Sequence, residues 1–349
     1  MVRWINTNKY SPIGLDIGPR SVQLVQLSTD FSRLIESARW DYLLKENETE
    51  APVDCIVDAI RQARESRNFK GRDVVICLNE QQLFMQNIRV PKIENGSIAQ
   101  FVQQEAAGRI PFAVDQAEIR YLEAADVRQG DHMLREVILF ACERPVLEQA
   151  LDIVDAAGLN PVAVDVEPSA ILRSYASQFK RDEDKYTRAM IVHVGFSCTA
   201  VVISEGTNVL FIKYIDIGGR HLDEAVAKHL DMEMAEAHAL RRHSGDRRTD
   251  IQDEEVTRSV HEATRPVMDQ LLQELSMCVR YHSVTFRGRP VVRLVLGGSE
   301  ASTQILDAVS KRLDMQSELS DPFRRVTTPS LGSRLGQWDV AMGLALRNM

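Results

Sequence analysis

The fold of this chain is decided by the stretch Ile13-Gly14-Leu15-Asp16-Ile17-Gly18-Pro19-Arg20-Ser21-Val22-Gln23-Leu24-Val25-Gln26-Leu27. An apolar strand that contains Asp16 turns at Gly18 and returns as a second apolar strand. A turn of this kind can direct several backbone N–H groups at one phosphate, with a carboxylate beside them for a metal ion. Taken alone the pattern is weak, because a turn Asp often hydrogen-bonds its own backbone.

A second copy of this plan lies at Ile191-Val192-His193-Val194-Gly195-Phe196-Ser197-Cys198-Thr199-Ala200-Val201-Val202. A duplication on this scale predicts two similar lobes with a cleft between them, where ligands usually bind. The second copy has His193 where the first has Asp16. A neutral imidazole is a poorer Mg²⁺ ligand than a carboxylate, so the predicted metal site is weakened. The plainer interpretation of His193 is a strand residue with a satisfied side chain.

The composition excludes several classes of protein. The 349 residues are 44% hydrophobic and 26% charged, as in an ordinary folded protein. A net charge of −8 argues against a general nucleic-acid binder. The first ten residues lack the apolar segment of a secretory signal, and no run approaches the roughly 20 apolar residues of a membrane span. Five scattered cysteines predict reduced thiols in a cytoplasmic protein.

The order of elements along the chain predicts a mixed α/β fold in three parts. Residues 1–79 and 145–185 form the first lobe, 80–144 form an inserted α+β subdomain, and 186–349 form the second lobe. A strand is expected to end at Glu167, with Ser169 capping the next helix. The charged stretch 241–255 predicts a solvated loop.

The chain resembles the PilM family of type IV pilus assembly proteins, whose fold is that of actin, Hsp70 and sugar kinases. The resemblance rests on the first hairpin and on segments that follow in the same order through nearly the whole chain. These segments are Arg109-Ile110-Pro111-Phe112, Val164-Asp165-Val166-Glu167-Pro168-Ser169-Ala170, Ile217-Gly218-Gly219, Leu296-Gly297-Gly298-Ser299 and Val340-Ala341-Met342-Gly343-Leu344-Ala345-Leu346-Arg347.

The resemblance implies a duplicated, ribonuclease H-like ATPase fold, with ATP and Mg²⁺ as cofactors. Asp16 is the implied metal and catalytic residue, and Glu167 is the implied residue that orients the attacking water. The implied nucleotide-binding residues are Gly18, Arg20, Ser21, Gly195, Ser197, Thr199, Gly218, Gly219, Glu274, Gly297, Gly298 and Ser299. Plainer interpretations remain for these positions: polar edge chemistry for Glu167 and tight turns for the glycines.

The resemblance also implies a partner and a location. In the family, the short cytoplasmic N-terminal tail of PilN, a single-span membrane protein, is captured beside the inserted subdomain. Arg109, Ile110, Pro111 and Phe112 are the implied docking residues. The implied protein is cytoplasmic and peripheral at the inner membrane, and self-association is left open.

Four departures from the family pattern favour nucleotide binding over turnover. Pro19 lacks a backbone N–H, Gln23 stands where a Lys is common, His193 replaces Asp, and Met277 replaces a cation. The leading hypothesis is a scaffold with weak or absent hydrolysis. An active ATPase and a scaffold without nucleotide remain as alternatives. A small-molecule kinase is a further one, although no Asp is a convincing general base.

Overall fold

The computed structural model describes residues 10–42, 51–92, 98–179, 182–246, 253–286, 289–329 and 334–347. Its strands are β1 (Ile13–Ile17), β2 (Ser21–Leu27), β3 (Leu34–Asp41), β4 (Asp73–Leu78), β5 (Phe84–Pro91), β6 (Ala117–Gln129), β7 (His132–Glu143), β8 (Asn160–Val166), β9 (Arg188–Val194), β10 (Thr199–Glu205), β11 (Asn208–Ile215), β12 (Arg293–Gly297) and β13 (Gln316–Leu319). Its helices are α1 (Val53–Glu65), α2 (Ile98–Ala107), α3 (Arg144–Ala156), α4 (Glu167–Ala176), α5 (Gly219–Leu230), α6 (Met234–Asp246), α7 (Glu254–Thr285), α8 (Thr303–Leu313) and α9 (Asp339–Ala345).

Two five-stranded sheets share one topology, as the duplicated hairpins predict. The first has the order β3-β2-β1-β4-β8 and the second has the order β11-β10-β9-β12-β13. In each sheet three antiparallel strands form a meander, and the last two strands run parallel to the first strand of that meander. The structure therefore repeats the same sheet in the two halves of the chain.

Strand β2 carries polar residues although it is buried. All seven of its residues are buried, including Gln26. The Gln26 amide donates to the carbonyls of Ser11 at 3.0 Å and Lys70 at 2.7 Å, and it accepts from the Lys70 N–H at 2.8 Å. Because every polar atom of this amide is paired, its burial carries no large penalty.

Helix α9 is buried on all sides, between β1 and α4. Its close approach depends on two glycines. A Cβ on Gly14 would collide with the carbonyl oxygen of Ala341, and a Cβ on Gly343 would collide with the backbone of Ala170. The absence of these side chains lets three backbones meet and places Asp339, the first residue of α9, at the junction of the two lobes.

The inserted subdomain is a three-stranded sheet, β5-β7-β6, covered by α2. It lies between β4 and α3 in sequence and packs on the second lobe. Glu136 is buried and accepts from Arg89 at 2.8 Å and from the Tyr281 hydroxyl at 2.8 Å. The Asn87 amide donates to the Ile212 carbonyl at 2.9 Å. Residues of the insert therefore bond to both α7 and β11.

Two local predictions are wrong. Helix α4 begins at Glu167 rather than after a Ser169 cap, because Pro168 fits the first helical turn without needing an N–H partner. The predicted loop at 241–255 is helical at both ends, since α6 extends to Asp246 and α7 begins at Glu254. The remaining six positions of this stretch, 247–252, lie outside the described residues, as do the first nine of the chain.

Two further features agree with the sequence. None of the described helices combines the length and the apolar character that crossing a membrane requires. All five cysteines are free thiols, two of them buried and three partly buried.

The close approach of α9 leads to a stability prediction. Gly343→Ala should lower the free energy of unfolding by about 3 kcal/mol, because the new methyl group meets rigid backbone at Ala170. Urea denaturation measures the change. The matched control is Gly108→Ala, where the nearest atom to the added methyl group is 4.0 Å away. Equal stability of the two variants would show that α9 can move away from α4.

Candidate functional site

The two hairpin turns have the same geometry. The Gly18 N–H donates to the Ser21 carbonyl at 3.0 Å, and the Gly195 N–H donates to the Cys198 carbonyl at 2.9 Å. A Cβ on either glycine would lie 3.1–3.2 Å from the carbonyl across its turn. The structure thus confirms that the second hairpin repeats the first.

A cavity of about 350 Å³ lies between the two turns and is lined from both lobes. It brings together eight of the residues that the sequence pointed to, together with His193. These eight are Asp16, Gly18, Arg20, Ser21, Glu167, Gly195, Ser197 and Ser299.

Two of the predicted nucleotide-binding residues have other partners. Thr199 is fully buried, and its hydroxyl donates to the Ile217 carbonyl at 2.6 Å. Glu274 lies on α7 and pairs with Lys213 of β11 at 2.7 Å. Neither residue lines the cavity, because the strand register and the helix face direct both side chains elsewhere.

Four of the glycines that were predicted to bind nucleotide pack closely against residues around the second turn. A Cβ on Gly218 would lie 2.5 Å from the Phe196 carbonyl oxygen, and one on Gly219 would lie 2.6 Å from the Glu300 carboxyl carbon. Gly297 packs against Asp339, and Gly298 has a φ of +97° and packs against Val194. These glycines let the chain pass close to the second turn; they do not line the cavity.

Asp16 is the most perturbed carboxyl group at the cavity. Its pKa is raised from 3.8 to about 7, mainly by burial and next by the nearby charge of Glu167, with a lowering by His193 and a further raising by Glu80. The Gln23 amide donates to Asp16 Oδ2 at 2.8 Å in the orientation that satisfies both of its atoms. The structure therefore holds Asp16 in place but makes its negative charge unfavourable.

His193 lies between carboxylates of both lobes. Its Nε2 is 3.9 Å from Glu167 Oε1, and its Nδ1 is 3.7 Å from Asp339 Oδ2; these are ion-pair rather than hydrogen-bond distances. Burial lowers the pKa of His193, but Asp339, Glu167 and Asp16 outweigh it, so the net shift is upward. The surrounding carboxylates therefore stabilise the imidazolium form of His193 relative to a histidine in water.

Glu167 is held by side chains of the second lobe. Its Oε2 accepts from the Tyr214 hydroxyl at 3.0 Å, while Oε1 faces His193. Burial raises the pKa of Glu167, with a smaller opposing effect of His193. Tyr214, on β11, is a site residue that no local sequence signal indicated.

A network of arginines closes the other side of the cavity, where the sequence predicted solvated loop. Glu300 pairs with Arg241 at 2.8 Å and with Arg242 at 2.8 Å, and Arg241 also bonds Asp223 at 2.6 Å. Glu300 and Asp223 are almost fully buried. Burial raises the pKa of Glu300, but the two arginines lower it more, so the carboxylate is charged. The sequence offered one signal for this network. His238 and Arg241 have a spacing that places both on one face of α6, and both bond Asp223.

A second cavity, of about 220 Å³, lies between α5, α7 and α8. Its apolar lining includes Leu222, Val260 and Ile305, and Ser302 supplies a hydroxyl. Glu300 lines both cavities. The two spaces therefore meet at the Glu300–arginine network.

The residues at the first cavity fit a divalent cation that is bound mainly through water and phosphate. Among the described residues no cluster of three or more His, Cys, Asp or Glu side chains could by itself hold a metal ion. Asp16 is crowded by Glu167 and Glu80, and a cation beside it would relieve this repulsion. Mg²⁺ usually keeps several waters and needs only one or two carboxylates beside a nucleotide, so Asp16 suffices as its protein contact.

The predicted docking residues do not all face solvent. Ile110 is buried in the small core of the insert, and Phe112 packs partly against that core. Arg109 and Pro111 are exposed, with Arg109 bonded to Glu105 at 2.7 Å. Only part of this segment is therefore free to contact a partner, and Ile110 has a structural role.

Comparisons with known proteins agree with this architecture. A family model described as type IV pilus assembly protein PilM matches residues 14–349. A solved PilM–PilN type IV pilus biogenesis complex matches at 22% identity with a TM-score of 0.78, covering 97% of this chain and 98% of that chain. Ethanolamine utilization protein EutJ from Carboxydothermus hydrogenoformans matches at 13% identity with a TM-score of 0.58, covering 97% and 90%. The fold is the predicted actin-like ATPase fold.

The raised pKa of Asp16 predicts a pH-dependent gain from Asp16→Asn. Below about pH 4 Asp16 is protonated in both the folded and the unfolded chain. As the pH rises toward 7, the unfolded chain loses this proton more readily, so the wild type loses stability until the folded group also ionises. Three pKa units correspond to about 4 kcal/mol, and water in the cavity screens part of this. We expect the variant to be about 2 kcal/mol more stable than wild type at pH 8.

Urea denaturation at pH 4.5 and pH 8 measures this gain, which should shrink toward the lower pH. The control is Asp152→Asn, which removes an exposed carboxylate from α3. A difference between Asp16→Asn and wild type that is the same at both pH values would contradict the assignment of strain to the Asp16 charge.

Proposed function

The chain belongs to the family of the type IV pilus assembly protein PilM, and from this premise we propose that it is an ATP-binding scaffold of a pilus assembly platform. ATP binds in the cleft between the two hairpin turns. The cytoplasmic tail of a PilN-like membrane protein binds at the inserted subdomain. Hydrolysis is slow or absent, and the nucleotide acts by favouring the closed arrangement of the lobes.

The observation that carries the nucleotide proposal is the matched pair of turns facing one cavity. Each turn is closed by a glycine N–H, and Ser21 and Ser197 line the space between the turns. Arg20 and Arg242 supply positive charge at the same cavity. The Gly18 and Gly195 N–H groups are used to close the turns, so the hydroxyls and guanidinium groups are the donors offered to a polyphosphate.

The second cavity gives the nucleoside a place next to these phosphates. Its apolar side chains, among them Leu222, Val260 and Ile305, offer a surface for a base, and the polar and charged side chains between them offer hydrogen bonds to the base edge. In this proposal the base lies on the second-cavity side of Glu300 and the phosphates lie on the first-cavity side. Asp16 is the residue that would hold Mg²⁺ through water beside the phosphates.

The surroundings of Glu167 support slow hydrolysis. One of its carboxylate oxygens accepts from Tyr214 and the other faces His193, so the group is engaged before it can orient a water molecule. Pro19 removes one N–H from the first turn, and Met277 is exposed on α7 where it supplies no cation.

The packing of the insert supports its role as docking element, for which we propose the boundaries 80–144. Arg109 and Pro111 present an exposed polar and apolar pair at the end of α2. The insert also bonds the second lobe through Glu136 and Asn87. The affinity of a partner that binds at the insert therefore depends on the position of that lobe. Through such a partner the protein lies at the cytoplasmic face of the inner membrane.

Calorimetry with ATP tests the nucleotide site. Ser197→Glu places a carboxylate in the second turn, where it repels phosphate, and should weaken ATP binding by tenfold or more. The control Gln103→Glu adds the same charge to an exposed position of α2 and should leave the affinity unchanged. Wild-type protein that binds neither ATP nor ADP at millimolar concentration, with or without Mg²⁺, would leave only a nucleotide-free scaffold.

Turnover measurements on the same protein separate a scaffold from an enzyme. Phosphate release by the wild type should be slow. Brisk release that Asp16→Ala abolishes would instead establish an active ATPase with an altered metal site.

Binding of a PilN-like tail peptide tests the docking element. Arg109→Ala should weaken binding of the peptide by about tenfold. The Arg109 guanidinium is exposed, and its loss leaves the core of the insert intact. Fluorescence anisotropy with a labelled peptide measures the affinity. The control is Arg128→Ala, another exposed arginine of the insert, on β6. Ile110→Asp is unsuitable because it disrupts that core. An unchanged peptide affinity in Arg109→Ala would show that the docking surface lies elsewhere.

A further inference from the structure

The two hairpin turns touch each other through Arg20 and Phe196. The Arg20 guanidinium lies over the Phe196 ring, with its central carbon 4.3 Å from the ring centre. Phe196 is buried and packs edge-on against His238, with ring centres 6.4 Å apart. Arg20 belongs to the first lobe and Phe196 to the second, so this stack joins the lobes at the mouth of the phosphate turns. A cation over an aromatic face is attracted by the ring.

The nitrogen atoms of Arg20 are unused by the protein. Its Nε is buried and has no hydrogen-bond partner, and no ion pair joins Arg20 to another of the residues that the structure describes. The other arginines at the cavity are engaged. Arg39 bonds Asp41 at 2.6 Å, and Arg242 bonds Glu300 at 2.8 Å and the Ser299 carbonyl at 3.1 Å. A buried guanidinium nitrogen without an acceptor is unfavourable, so Arg20 is prepared for an anion that comes from outside the chain.

A continuous row of contacts gives Arg20 its position relative to the second cavity. The row passes from Arg20 to Phe196, His238, Asp223, Arg241 and finally Glu300. Glu300 borders the second cavity, and Arg20 stands at the other end of the row. In the proposed binding mode the base lies in the second cavity and the phosphates lie in the first cavity, which Arg20 lines.

We propose that the side chain of Arg20, stacked on Phe196, binds the terminal phosphate of a nucleoside triphosphate and thereby distinguishes a triphosphate from a diphosphate. This inference rests on the proposed function. The planar guanidinium can keep its face on Phe196 while its edge donates to two phosphate oxygens. Since ring and guanidinium come from different lobes, a phosphate bound to Arg20 strengthens a contact that joins the lobes. In this proposal, the phosphate that Arg20 binds is the one that a diphosphate lacks.

Calorimetry of Mg-ATP and Mg-ADP on the full chain tests this assignment. The wild type should bind ATP more tightly than ADP. Arg20→Gln should weaken ATP by tenfold or more and change ADP by less than twofold. Arg20→Lys should recover only part of the ATP affinity, because an ammonium group lacks the planar fork. Phe196→Leu should lower the preference for ATP by a smaller factor. The control Arg61→Gln removes the same charge from α1, away from the cavity.

The outcomes separate this inference from the function on which it rests. Wild-type protein that binds neither nucleotide contradicts both. Wild-type binding together with an equal loss of ATP and ADP in Arg20→Gln, or with no loss of either, overturns the role of Arg20 alone. Thermal melting of the nucleotide-free variants checks their folding. If Arg20→Gln melts at a lower temperature than the wild type, the Arg20→Lys variant is compared instead. A ratio of ATP affinity to ADP affinity equal to that of the wild type overturns the proposal, and a lowered ratio supports it.

Discussion

The organisation of the cleft depends on one electrostatic constraint, the crowding of carboxylates around a single imidazole. Asp16, Glu167 and Asp339 come from three different elements and meet at His193. Buried charges persist in proteins only where they are paired. His193 supplies a partner from the second lobe, while burial and the neighbouring Glu167 keep the pKa of Asp16 raised. A cation beside Asp16 would offset this crowding of carboxylates.

Backbone packing brings these charges together. Gly14 and Gly343 let α9 press against β1 and α4, and Gly297 leaves room for the Asp339 carboxylate beside the end of β12. Asp339 then receives a hydrogen bond from Ser320 at 2.6 Å on one side and faces His193 on the other. Gly14, Gly297 and Gly343 thus set the distances between the elements that form the site.

The parts of the structure that sequence predicted correctly are those with local signals. The hairpin at Asp16 and its repeat at His193 follow from strand periodicity and from glycine turns. Pairs between distant elements have no such signal: Tyr214 and Glu167 lie on different lobes. Arg241 begins a charged run and pairs with Glu300, which is far from it in sequence. A run of arginines resembles a solvated surface in sequence, and only the fold reveals the buried carboxylates that pair with it. Thr199 likewise stands at the right position in the hairpin, but strand register turns its hydroxyl toward Ile217.

The proposed scaffold role requires only inter-lobe contacts that a ligand can strengthen or weaken. The protein's own side chains join the lobes at several places, among them Tyr214 to Glu167 and Arg20 to Phe196, and the insert bonds the second lobe. A ligand shifts an equilibrium only by its differential affinity for the two arrangements. A nucleotide in the cleft and a partner on the insert would both bias the same lobe contact, so each would change the affinity of the other by the same factor. Hydrolysis is not needed for that coupling. The acidic residue best placed to support hydrolysis, Glu167, is instead one of the groups through which the lobes are joined.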